Sequence, residues 1–160
     1  MPRTRLYASL ALLVLAMVGC KGFPLLGADP QPTSEPTFWY EANPTQISLV
    51  DGPQSAMAGT PVVLTARVII GSSSCDRFKE LTATVDEASR SVVLSAMRES
   101  KRSNQDIACT DDYGSKLATV SVTLPSAGTY RVSAERYHPA SFLPDETPRA
   151  TFDIVVSAEQ

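Results

Sequence analysis

The 160-residue chain has little of what most catalytic sites are built from: one histidine, three cysteines, and no apolar run long enough to cross a bilayer. Each shortage removes a class of chemistry. A Ser-His-Asp hydrolase would have to recruit His138, which stands in "RYHPAS" just before a proline, and no Gly-x-Ser-x-Gly elbow accompanies the many serines. His138 therefore reads as a loop residue. Catalytic zinc, which takes two or three histidines as a rule, is disfavoured too. No Cys-x-x-Cys is present, so a thiol-disulfide enzyme lacks its motif. Asp111 and Asp112 in "CTDDYGS", with Asp106 nearby, could offer oxygens to calcium, but no EF-hand spacing surrounds them and the stretch reads as a solvated turn with Gly114. Neighbouring carboxylates alone do not make a glycosidase, whose acid and base must face each other across a cleft. The expectation is no catalytic residue, no metal and no cofactor.

Positive charge is also short. Lys plus Arg total 14 against 17 Asp plus Glu, a net charge of −3. Nucleic-acid binding, which replaces condensed counterions with clustered cations, is excluded as a partner class on this balance. The densest basic group, Arg98 with Lys101 and Arg102, is interrupted by Glu99 and followed by Asp106. It reads as a solvated loop, with an acidic-ligand site as the other possibility.

What is present begins with "RTRLYASLALLVLAMVGC", residues 3–20. The apolar block Leu6 to Val18 is 13 residues, whereas a spanning helix needs roughly 20. Arg3 and Arg5 form a positive n-region, the block forms an h-region, and Gly19 offers the small side chain a signal peptidase accepts. Residues 1–19 are thus expected to be an export signal.

Met17-Val18-Gly19-Cys20 resembles the lipobox of bacterial lipoproteins, with methionine where that family most often has leucine. The resemblance implies that Cys20 is acylated, that signal peptidase II cleaves just before it, and that membrane lipid is the first partner, through acylated Cys20. Two or three acyl chains hold far more firmly than one, because each buried CH₂ adds about 0.8 kcal/mol. Lys21 follows the cysteine, where aspartate tends to retain such proteins at the inner membrane. The resemblance therefore places the domain outside the cytoplasm, at the outer membrane if the organism has one and otherwise on the outer face of the plasma membrane. Loss of Arg3 and Arg5 leaves 12 Lys plus Arg against 17 Asp plus Glu, a balance of −5.

From Lys21 to Pro44 the sequence "KGFPLLGADPQPTSEPTFWYEANP" has five prolines and no period of 2 or 3.6. Residues 20–45 read as a lipidated cysteine and tether. Proline fixes φ and favours extended conformers at about 3.1 Å per residue, which gives a reach of roughly 70 Å. Phe38-Trp39-Tyr40 interrupts it with the only tryptophan. Three adjacent aromatics cannot all face one side of an extended segment. The group is either a first strand clamped over the domain or an anchor for a partner, with Trp39 and Tyr40 as the contact residues.

Residues 46–158 show strand rhythm. Val62, Leu64, Ala66, Val68 and Ile70 share one face, and Val63, Thr65 and Arg67 the other. The rhythm returns in Leu81, Ala83, Val85; in Val92, Leu94, Ala96; in Ala118, Val120, Val122, Leu124; and in Phe152, Ile154, Val156. The stretch 78–109 lacks Pro and Gly but is rich in Thr, Val and Ser and breaks at "DEASR", which favours two antiparallel strands over a helix. Strands with one apolar face each must cover it, so the expected fold is all-β: a single antiparallel β-sandwich of about seven strands. "PSAGTYRVSA", with Gly128 ending a turn and Tyr130 and Val132 facing inward, resembles the tyrosine corner of immunoglobulin-like or fibronectin-like sandwiches. The immunoglobulin cysteine is missing; Val132 stands there.

With Cys20 lipidated, Cys75 and Cys109 remain as one pair in an oxidising compartment, where disulfides persist. The bridge is expected to pin two connections. The chain thus reads as a lipid-anchored binding or structural module of the bacterial cell envelope, meeting an envelope protein or polymer. The alternative is a small envelope hydrolase, for which His138 and Asp111 would be the residues to test.

Overall fold

The computed structural model describes residues 35–158; the signal, Cys20, Lys21 and the first part of the tether lie outside the described residues. Among the described residues there is no helix, and nine strands follow in order: β1 (Phe38–Thr45), β2 (Ile47–Asp51), β3 (Ser55–Met57), β4 (Pro61–Gly71), β5 (Asp76–Asp86), β6 (Ser91–Ser103), β7 (Gly114–Thr123), β8 (Gly128–Ala134) and β9 (Thr151–Ser157). The chain is all-β, as its alternation predicts. Short β2 and β3 carry too few residues for a period to show.

Two sheets share the core. The smaller has the order β2-β4-β7. In the larger, β9 lies between β8 and β3, and β6 is paired on one side with β5 and on the other with β8 (residues 91–94) and β1 (residues 96–103). Val62, Leu64, Ala66 and Val68 of β4, with Val122 of β7, belong to one cluster with Val92 and Leu94 of β6, Tyr130 and Val132 of β8, and Ile154 and Val156 of β9. The alternating side chains of both sheets are thus the core itself. Leu81, Ala83 and Val85 of edge strand β5 pack on it only half-buried.

Two pairs are parallel, β6 with β8 and β3 with β9, where the sequence predicts antiparallel pairing throughout. The reason is the path between β6 and β8. The chain leaves the larger sheet, runs β7 in the smaller one, and returns in the direction of β6, which is the kind of crossover a parallel pair requires. At β5–β6 the expected antiparallel hairpin is present, with the turn held by Asp86, whose carboxylate accepts from Ala88 N, Ser89 N and Ser89 Oγ. The Ser89 hydroxyl lowers the Asp86 pKa.

The simple alternation of β4 fails near its end. Ile69 is buried rather than Ile70, and Arg67, on the face expected to meet water, is only 8% exposed. A strap formed by the long β8–β9 connection covers that face. It runs beside β2, with bridges Ile47–Tyr137 and Leu49–Arg149, and its Glu146 pairs with Arg67 in a nearly dry setting. A β-bulge between Ile69 and Gly71 accompanies the change of face.

Candidate functional site

The folded unit begins at Pro36, and residues 38–45, which read as tether from composition, form β1. Proline content misleads here because β1 is an edge strand, where Pro44 removes no obligatory ladder bond. Eight successive residues pair with β6, from Phe38 opposite Ser103 to Thr45 opposite Ala96. Further ties are reciprocal bonds between the backbones and side chain of Thr37 and Asn104, and the bond from Thr45 Oγ1 to Ile69 O. β1 contributes nothing to the apolar cluster. It is held by its main chain.

Phe38, Trp39 and Tyr40 are 47%, 49% and 46% exposed on an ordered strand. Of the two sequence alternatives, the first-strand part holds, yet the aromatics do not act as a lid on the core. Alternation puts Phe38 and Tyr40 on one face and Trp39 on the other. Phe38 and Tyr40 each meet a cation. The Arg77 guanidinium lies 3.7 Å from the Tyr40 ring centre, and Lys101 Nζ lies 4.0 Å from that of Phe38. On the face of Trp39, Arg102 Nε donates to Glu41 at 2.9 Å.

The same face as Tyr40 holds Glu99, which pairs with Arg77 at 2.7 Å and reaches Lys79 at 3.9 Å. Glu99 thus stands among Arg77, Lys79 and Lys101, and Glu80, opposite Met97, shares that face. The group Arg98, Lys101, Arg102, which reads as a solvated loop, lies instead within β6. Strand alternation separates it: Lys101 faces with Phe38 and Tyr40, Arg98 and Arg102 with Trp39. Charged residues read poorly as strand, but pairing with β1 throughout and with β5 as far as Ser100 supplies the hydrogen bonds that propensity does not.

The structure bridges Cys75 and Cys109, Cα to Cα 5.6 Å, joining the β4–β5 turn to the β6–β7 connection beside this surface. Ser72, Ser73, Ser74, Thr110 and Asp112 knit the same two segments. Hydrogen bonds from Ser73 and then Thr110 bring the Asp112 carboxyl down to about 2. That role explains Asp112 without a cation, and among the described residues no three His, Cys, Asp or Glu side chains gather as a metal site. His138 sits elsewhere, beside β2: its N–H donates to Ile47 O, and its Nδ1 is buried without a partner. No hydrogen bond brings His138 and Asp111 together.

Residue type singles out Phe38, Trp39 and Tyr40 in the sequence, with Trp39 and Tyr40 as contact residues, but does not tie Arg77 and Lys101 to them. The only available signal was the aromatic–charge alternation of two segments that pairing alone brings side by side. No protein-family model matches the chain, and no curated protein or solved structure matches it either.

Proposed function

We propose that this chain is a lipid-anchored, extracytoplasmic binding module of the bacterial cell envelope, and that it engages an envelope protein or polymer through the β1 surface. The observation that carries the reading is three exposed aromatics fixed on an ordered strand just after the tether. Tyr and Trp, with Arg, dominate binding hot spots because they bring large contact area at little entropic cost. The Arg77 and Lys101 contacts hold the Tyr40 and Phe38 rings in place before any partner arrives, and their charge favours a partner with an acidic rim. β1 pairs with β6 alone, so its other edge also offers main-chain groups to an incoming strand.

The anchor rests on the lipobox resemblance of Met17 to Cys20, and the extracytoplasmic setting is supported by the Cys75–Cys109 bridge. The immunoglobulin-like reading is supported by Tyr130, fully buried, whose hydroxyl lies 2.9 Å from Ser126 Oγ four residues upstream. The parallel β6–β8 pair departs from that family's antiparallel sheets.

The test compares in-cell crosslinking of the native chain, Trp39→Ala/Tyr40→Ala and Cys20→Ala, alongside metabolic labelling with a palmitate analogue. Label lost only in Cys20→Ala, and a crosslinked partner lost in the aromatic variant, are expected. Label retained by Cys20→Ala would remove the anchor. A partner unaffected by the aromatic variant would remove β1 as the contact.

A further inference from the structure

A cavity of about 330 Å³ lies at the β1–β2 corner, lined by Thr45, Gln46, Ile69, Arg98, Tyr113 and Arg136, with Pro44 at its edge. Two guanidinium groups line it and no carboxylate does. The demands of Arg98 are incompletely met. Its Nη1 donates to Ile70 O at 2.8 Å and lies 3.7 Å from Asp76, while its Nε is shut from solvent with no partner. Asp76, the ion-pair partner of Arg98, also accepts from Ser100 Oγ at 2.6 Å and Ser72 N at 3.0 Å. Arg136 is exposed, and only its backbone carbonyl is engaged, by Ile47 N. Tyr113 forms an aromatic wall, more than half exposed and stacked on Phe142 with ring centres 6.0 Å apart.

Asp76 offsets the charge of Arg98, whereas among the described residues no ion pair offsets that of Arg136, and a planar guanidinium matches the two oxygens of a carboxylate or phosphate. The volume is at the lower end of small-molecule sites, which favours a small acid over a polymer chain. We propose that this cavity binds a small molecule through its carboxylate or phosphate group, with Arg98 and Arg136 as cationic contacts and Tyr113 as the wall. The site does not depend on the β1 surface having a partner.

The experiment is an NMR titration of the full-length chain in detergent, reading the Arg98 Nε–H resonance. The probes are D-glucuronate and, separately, inorganic phosphate, against chloride at matched ionic strength. Saturation in the roughly millimolar range is expected with at least one probe, weakened about tenfold in Arg136→Gln by loss of one charge-assisted contact. Saturation by glucuronate alone assigns a carboxylate ligand, by phosphate alone a phosphorylated one, and by both the shared oxyanion chemistry. Shifts that remain linear with both probes, or that chloride reproduces, overturn the proposal, as does equal affinity in Arg136→Gln. If Arg136→Gln perturbs folding, Arg136→Lys gives the same comparison on the Arg98 resonance, since it keeps the charge and loses the fork.

Discussion

The two halves of β6 are one strand in two environments. Ser91 to Leu94 runs between β5 and β8, and its Val92 and Leu94, with Ala96 just beyond, are buried in the core. Met97 to Ser103 runs beside β1 over its whole length and beside β5 as far as Ser100, carries Arg98, Glu99, Lys101 and Arg102, and adds nothing to the apolar cluster. The first half is a strand because its side chains leave water. The second is a strand because its backbone is paired with β1 throughout and with β5 as far as Ser100, its Arg98, Glu99 and Arg102 have ion-pair partners across strands, and a disulfide closes the segment that follows. Core and surface are thereby separated along one strand: the core half can tolerate little change, and the other half presents charges beside the aromatics of β1.

The largest expected effect tests how far burial governs the body of the fold. Glu146→Ala strands Arg67 in a nearly dry setting, and removing one partner of a buried pair costs about 3–5 kcal/mol. Denaturant unfolding should show it as a lowered midpoint. Next, Cys75→Ser should cost about 3–4 kcal/mol, since the bridge closes a loop of 34 residues in sequence separation. Leu94→Ala, in the core half of β6, should cost about 3 kcal/mol. Trp39→Ala, beside the other half, should cost about 1 kcal/mol or less while abolishing partner capture. A Trp39 variant as costly as the Leu94 one would erase the contrast between the halves.

The smallest effect is electrostatic. The Asp112 carboxyl has a pKa of about 2, below its ordinary 3.8, because Ser73 and Thr110 donate to its charged form. A depressed folded-state pKa stabilises above the unfolded value, and that contribution fades as pH falls from about 4 towards 2. Asp112→Asn should flatten stability across that window, and unfolding midpoints of the two proteins should converge at its acid end. Asp112 is fully exposed, so the slope should be shallow and weaken further in salt.

Much of the sandwich was legible because its signal is local. Val62 to Val68, Val92 to Ala96 and Ile154 to Val156 alternate with period 2, and each meets the core on the predicted face. "DEASR" was legible as a turn because Asp and Ser bond their own backbone. The candidate surface was half legible. Trp39 and Tyr40 stand out by residue type, but Arg77 lies 37 residues beyond Tyr40 and Lys101 lies 63 beyond Phe38, and no local pattern joins them.

Sequence alone determined the strand rhythm and the polar turns, because each depends on residue identity over a short span. Tertiary structure decided the rest. The parallel pairing of β6 with β8, the burial of Arg67 under the Glu146 strap and the conversion of a proline-bearing segment into β1 all depend on which distant backbone arrives alongside. Hydrogen-bonding groups are the same at every non-proline residue, so the sequence of β1 cannot reveal its partner; only the folded chain, by bringing β6 within reach, makes that choice.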